Sequence, residues 1–297
     1  MPCFDIAGIS LNADNQNLAV LSRMNGYLLP HTLKQTDIRF SFETRDYIPS
    51  PQGRMISDDH SSIQWMEKPL AQDGYFIYTC AQGARGEILA LVDVQADWRS
   101  AHGVTLNVPE GFSQHGVEIE NYIWSCMQIL TGIVFRYGAL HFQGVAIHAS
   151  TIKWRDQGIA FCAPSGTGKS TQVKLWQKYK DDVTVLNDDN PIVRVIADQA
   201  MIFGTPWSGS AHINRNDSAP LTAIILLEQA ETNSLARVAQ EEAVFKFIPR
   251  VFLPYYNKTY LDLALNIVET VVRIVPVYAL KCRPDQEAVE LVYQCLK

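Results

Sequence analysis

The chain has 297 residues, 47% hydrophobic and 19% charged, which is long enough for one large domain or two ordinary ones with sizeable cores. A net charge of −6 argues against a non-specific nucleic-acid binder and against docking on an anionic membrane surface, so neither partner is expected. The six cysteines (Cys3, Cys80, Cys126, Cys162, Cys282 and Cys295) show no CxxC pair or metal-ligand spacing, which fits a reducing compartment. Met1-Pro-Cys-Phe-Asp5 has no basic stretch followed by an apolar core, so no secretory signal is read and a cytoplasmic location is expected.

Residues 1–115 are rich in short β-type runs and read as a β-rich N-terminal domain. Ile38–Phe42, Tyr75–Thr79 and Glu87–Asp93 are examples, separated by turn clusters at Pro49–Gly53 and Ala71–Gly74. Within it, Asp58-Asp-His60 reads either as a ligand cluster or as a solvated loop. Residues 116–140 then carry the strongest helical pattern. Ile119, Ile123, Met127, Leu130 and Val134 recur at three- and four-residue spacing, predicting a buried amphipathic helix that bridges the two halves. Glu120, Asn121 and Arg136 within the apolar stretch argue against a membrane span.

Residues 141–297 mix strands and helices, as an α/β core with antiparallel hairpins does. Strands are predicted at 144–149, 158–162, 183–187, 191–196, 200–204, 222–227 and 276–282. Helices are predicted at 168–179, 239–248, 260–274 and 286–296.

The segment Ile159–Thr171 carries the clearest chemistry. An apolar strand runs into Ala163-Pro-Ser-Gly-Thr-Gly168, and Lys169-Ser-Thr171 opens a helix, which is a phosphate-binding P-loop in its required context. Ser165, Gly166, Thr167, Gly168, Lys169, Ser170 and Thr171 would hold a nucleotide triphosphate or a similar polyphosphate. The loop amides and the helix start supply positive potential, Lys169 reaches the phosphates, and the Ser170 hydroxyl takes Mg²⁺. Ala163 stands where the usual pattern has its first Gly, while Gly166 and Gly168 keep the tight turn free to take positive φ. The neighbours exclude two large classes: the chain has no LSGGQ-like signature and no guanine-reading NKxD. Beyond the P-loop helix stands Val183-Thr-Val-Leu-Asn-Asp-Asp189, a strand ending in two carboxylates within about 20 residues of Lys169. Two such carboxylates suit metal binding and proton acceptance, and they are also good turn formers. His148 reads either as a site imidazole beside the loop or as a satisfied core histidine.

Three matches make the chain resemble the HPr kinase/phosphorylase family, whose P-loop fold is shared with phosphoenolpyruvate carboxykinases. Ala146-Ile-His148 ends a strand and is followed by fourteen residues before the loop. Pro164-Ser-Gly-Thr-Gly-Lys-Ser170 is the second match. Asn187-Asp-Asp189 is similar to the family's Ala-Asp-Asp. The resemblance covers about residues 140 to 230. It implies a mixed-sheet kinase-like domain using ATP and Mg²⁺, with His148 and Lys169 in the site, Asp189 as base and Asp188 with Ser170 on the metal. It also implies a homo-oligomer. Thr171 stands where members that phosphorylate HPr have Glu, and the Gly- and Arg-rich C-terminal signature is not found. The chain is more similar to homologues that act on other hydroxyl acceptors.

The expectation is therefore a kinase that transfers a γ-phosphoryl group to a hydroxyl of a protein, peptide or small molecule. Two other readings stand beside it: a carboxykinase-like phosphotransferase, and a nucleotide-binding module without turnover. Trp207–Arg215 is read as a loop at the strand ends, with Ser208, Ser210, His212, Asn214 and Arg215 as hydrogen-bonding groups or as ordinary solvated residues. Arg250 and Arg283 are cations without an assigned role.

Overall fold

Alternation of apolar and polar residues builds the first sheet. The computed structural model describes residues 2–14, 24–57, 63–69, 71–80, 87–108, 113–114 and 117–297, so Asp58-Asp-His60 lies outside the described residues. The chain divides into two units, Met1–Gly138 and Ala139–Lys297. The first holds strands β1 (Cys3–Ile6), β2 (Ile9–Ala13), β3 (Ile38–Arg45), β4 (Arg54–Ser57), β5 (Ile63–Glu67), β6 (Tyr75–Cys80), β7 (Ile88–Val94) and β8 (Ser100–Leu106). Their order is β1-β2-β3-β8-β7-β6-β5-β4. β2–β3 and β3–β8 pair in parallel and the other neighbours antiparallel, so the sheet is mixed. Two short strands, β9 (Ser113–Gln114) and β10 (Val117–Glu118), lead into helix α1 (Ile119–Gly138).

The α1 helix, expected as a bridge, packs on β7 and β8 and belongs to the first unit. It buries Ile123, Met127, Leu130 and Val134, each contributing roughly 1.5–3 kcal/mol by removing apolar surface from water. Ring centroids of Tyr75, Trp65 and Tyr137 lie 5.1, 5.9 and 5.0 Å from that of the fully buried Trp98, which ties the helix to the strands. Among the described residues, one segment, Ile119–Phe142, is long and apolar enough to cross a membrane, and 78% of its apolar window is buried inside the protein.

The second unit contains β11 (Gly144–Ala146), β12 (Ala149–Trp154), β13 (Gln157–Cys162), α2 (Lys169–Tyr179), β14 (Val183–Asn187), β15 (Ile192–Ile196), β16 (Gln199–Phe203) and β17 (Ser218–Gln229). It continues with β18 (Ser234–Arg237), α3 (Gln240–Phe247), α4 (Lys258–Ile274), β19 (Val277–Cys282) and α5 (Gln286–Cys295). The sheet order is β11-β15-β16-β17-β13-β12-β14, with β19 also on β17 and β18 on β19. β13, β17 and β19 run parallel, and hairpins extend the sheet on either side. Trp154, Phe161, Trp176, Val289 and Val292 form the core in which α2 and α5 meet the strands. Asn257 and Asp285 cap α4 and α5, accepting from the N–H groups of Tyr260 and Ala288.

Three local differences from the sequence reading matter. The run expected as one strand over 144–149 is broken at Ile147-His148, and β12 continues it as a separate strand. There the Ile147 N–H still reaches the Pro191 carbonyl in the register of β11, but Pro191 has no N–H to return, and the His148 N–H bonds to the Arg250 carbonyl instead. β17 is longer than expected, and β18 was not expected: its Ser-Leu-Ala-Arg pattern carries little strand signal, and pairing with β19 forms it. Cys295, read as part of an apolar run, is exposed at the end of α5, while Cys3, Cys126 and Cys162 are buried.

Candidate functional site

Strand register assembles the site. β12 runs antiparallel to both β13 and β14, with Ala149 opposite Cys162 and Thr151 opposite Asn187. The start of β12 and the ends of β13 and β14 therefore lie on one edge of the sheet. His148, the loop 163–168 and Asp188-Asp189 all emerge there.

The loop turns through two left-handed glycines, Gly166 at φ +78° and Gly168 at φ +117°, conformations that a side chain would strain. Gly168 stands at the N-cap of α2, where no side chain caps the helix and the first turn has no acidic residue. The first N–H groups of a helix lack intrahelical acceptors, so this end presents donors and positive potential to an anion. Ser165, Gly166, Ser170 and Thr171 are exposed, and Thr167 and Gly168 are half-buried. Lys169 is buried, with 8% of its surface exposed. Its Nζ donates to the carbonyls of Ala163 at 3.0 Å and Pro164 at 3.5 Å.

The same Nζ lies 3.0 Å from Nε2 of His148, and that ring nitrogen lies 3.2 Å from Asp189 Oδ1. Burial pushes the Lys169 pKa below its ordinary value; Asp189 and Cys162 pull it back up, and Arg250 lowers it further. Burial also pushes the Cys162 thiol up to about 12, against the pull of the Arg250 and Lys169 charges. Cys162 is thus a protonated core residue, not a nucleophile.

Asn187 holds the acidic turn in place. Fully buried at the end of β14, it accepts from the N–H groups of Asp189 at 2.8 Å and Asn190 at 2.7 Å through Oδ1. Its Nδ2 donates to the carbonyls of Thr205 at 2.9 Å and Trp207 at 3.2 Å. The Asn190 side-chain amide donates to Asp189 Oδ2 at 2.7 Å, which leaves Oδ1 directed at His148. Asp188 accepts the Gly209 N–H at 2.7 Å through Oδ1.

The segment 207–215 folds against this turn. Asn214 bridges to Asn187 and donates to Ser208 at 3.1 Å, while Ser210, His212 and Arg215 are exposed. His141 is hydrogen-bonded to Tyr260, and Arg283 pairs with Asp285 and Glu287 at the start of α5, so neither belongs to the cluster.

Arg250 is the residue that sequence reasoning left unassigned. It ends the short 3₁₀ turn Ile248–Arg250, and its carbonyl accepts the His148 N–H at 2.7 Å. Its guanidinium is close enough to act electrostatically on both Lys169 and Cys162, and no carboxylate among the described residues neutralises it. No motif surrounds it, and about 80 residues separate it from the loop, so only the backbone contact to His148 reveals it.

The donor set suits a hard cation. Among the described residues, neither Asp188 Oδ2 nor the exposed Ser170 hydroxyl has a hydrogen-bond partner. A carboxylate and a hydroxyl, with phosphate and water completing the shell, are what Mg²⁺ takes at phosphate sites. Among the described residues no three His, Cys, Asp or Glu side chains converge as a protein-only metal centre.

A family model described as "ScmC: SynChlorMet cassette protein ScmC" matches residues 115–292, more than half of the chain. The chain belongs to that family. The match runs through α1 and almost all of the second unit. No curated protein matches the chain. Among solved structures, the Hpr(Ser) kinase/phosphatase from Coxiella burnetii is similar over 50% of this chain and 95% of its own, at 10% identity and a TM-score of 0.30. That likeness is too slight to carry an inference.

Proposed function

We propose that the second unit is an ATP- and Mg²⁺-dependent phosphotransferase that moves the γ-phosphoryl group to a hydroxyl of a protein, peptide or small molecule. The observation that carries this reading is the convergence of Lys169, His148 and Asp189 on one ring nitrogen, beside a glycine loop opening an uncapped helix. The motif resemblance to the HPr kinase/phosphorylase family supports it. Phosphoryl transfer asks little covalent chemistry of a protein; it needs charge neutralisation, alignment and a proton acceptor.

Each need has a group here. The loop amides and Lys169 bind the phosphates, with the ammonium turning from the Ala163 and Pro164 carbonyls toward the anion. Arg250 adds a second cation. Ser170 and Asp188 hold Mg²⁺, which when bound offsets phosphate charge. Asp189, fixed by Asn187 and Asn190, takes the acceptor's hydroxyl proton, and His148 orients that carboxylate. The site is read as cytoplasmic.

γ-Labelled ATP with a panel of proteins, peptides and hydroxy amino acids tests the reading. Label should reach one acceptor class with the native chain. Lys169→Ala should lose nucleotide binding, and Asp189→Asn should keep binding while turnover falls by about 10²–10⁴. Tight ATP binding with no transfer to any acceptor would instead make this a binding module.

A further inference from the structure

The outer face of the first unit's sheet carries a separate polar constellation. Along β3, Ile38, Phe40 and Phe42 are buried, whereas Arg39, Ser41 and Glu43 alternate onto the other face. Parallel pairing sets Arg39 beside Ser100 and Ser41 beside His102, and β7 sets Asp93 opposite His102. Ser41 Oγ lies 2.8 Å from His102 Nδ1, and His102 Nε2 lies 2.9 Å from Glu43 Oε1. Residues 32–36 help enclose this floor, giving a cavity of about 690 Å³ whose lining includes Asn12, Asp14, Lys34, Arg39, Asp93 and His102. Its volume is that of sites that hold small organic ligands.

Charge bookkeeping separates the committed groups from the available ones. Glu43 is engaged by Arg45 and His102, which together hold its carboxyl below the usual range, the His102 hydrogen bond acting most. Asp93 is paired with the buried Lys68 at 2.5 Å. Lys34 and Arg39 are exposed, and among the described residues no carboxylate lies within ion-pair distance of either. Two unneutralised cations on a wall that also presents Asp14 and the Lys68-paired Asp93 favour a single carboxylate over a polyanion.

We propose that this cavity binds a molecule carrying a carboxylate, namely an amino acid or the C-terminus of a short peptide. The carboxylate meets Arg39, whose planar guanidinium matches it bidentately, and Lys34. Ser41, held in place by His102, adds a hydroxyl to the floor. The volume exceeds the needs of a single small amino acid, so the peptide is the better fit.

Titration of the isotopically labelled full chain with tri-alanine, followed by backbone amide shifts at Ser41, His102 and Gly103, tests the site. Saturable shifts at these residues are expected. Affinity should fall about tenfold or more for the C-terminal amide and for the Lys34→Gln/Arg39→Gln chain, as loss of a charge-assisted hydrogen bond implies. Equal binding of free alanine supports the amino acid as the ligand. Absent saturation, undiminished binding of the amide, or preferential binding of inorganic phosphate would overturn the proposal.

Discussion

His148 Nε2 stands 3.0 Å from Lys169 Nζ and 3.2 Å from Asp189 Oδ1, so one ring nitrogen is shared between a cation and an anion. That nitrogen carries either a proton or a lone pair, so it satisfies only one neighbour at a time. When Lys169 turns to a phosphate, the imidazole is released to hold Asp189. His148→Ala should therefore slow single-turnover phosphoryl transfer by about 10²-fold while nucleotide affinity stays within a few-fold. An unchanged single-turnover rate would leave His148 with a structural role alone.

Lys169 costs the fold stability near neutral pH. Its pKa is lowered from 10.5, chiefly by burial, so the unfolded chain binds the proton more tightly than the native chain does. The penalty is fully present below the folded-state pKa and fades as pH rises from there toward 10.5. Lys169→Met should therefore unfold at a higher temperature near neutral pH, and the gap should narrow as pH approaches that value. A variant less stable than the native chain near neutral pH would show that the Ala163 and Pro164 hydrogen bonds outweigh burial.

Much of the second unit was legible because its strands are short, apolar and separated by clear turns. The segment Ile159–Thr171 announced β13, its loop and α2, and Val183–Asp189 announced β14 with its acidic end. The hidden part was non-local. The break at Ile147-His148 has no Gly or Pro in its own segment; the ladder ends because Pro191, opposite Ile147, has no N–H to return, and the His148 N–H turns to the carbonyl of Arg250 about 100 residues on. β18 forms only as a partner to β19. Lys169, Ser170 and Asp188 could be singled out by residue type and motif, but the contacts among Lys169, His148 and Asp189 depend on the registers of β12, β13 and β14. Arg250 carries no local pattern at all, and of the Asn187 clamp only the Asx turn onto Asp189 and Asn190 is local; its reach to Thr205 and Trp207 is not.

Arg250 offers a test of charge without touching the loop. Its cation lowers the Lys169 pKa, so Arg250→Gln should let that pKa rise toward its ordinary value, visible in the lysine side-chain NMR titration. Turnover should drop at least about tenfold, since a lost cation at developing phosphate charge costs upwards of about 1.4 kcal/mol. Because the Arg250 carbonyl, not its side chain, bonds His148, the backbone contact should survive. An unshifted Lys169 titration would remove the electrostatic link.

Asn187 joins the acidic turn to a segment that lies about 18 to 20 residues further along the chain. Its Oδ1 takes two N–H groups of the acidic turn, and its Nδ2 serves the carbonyls of Thr205 and Trp207. Asn187→Ala should cost about 2–3 kcal/mol in urea unfolding, because buried polar groups lose their partners. Asn187→Asp separates the two halves of the clamp. Aspartate still accepts from Asp189 and Asn190, yet it cannot donate, and it sets a buried charge against two carbonyls. It should therefore destabilise at least as much as Ala. If the clamp aligns Asp189, both variants should lower kcat more than they raise the KM for nucleotide. A rise in KM alone would mean that Asn187 supports the fold without aiming the base.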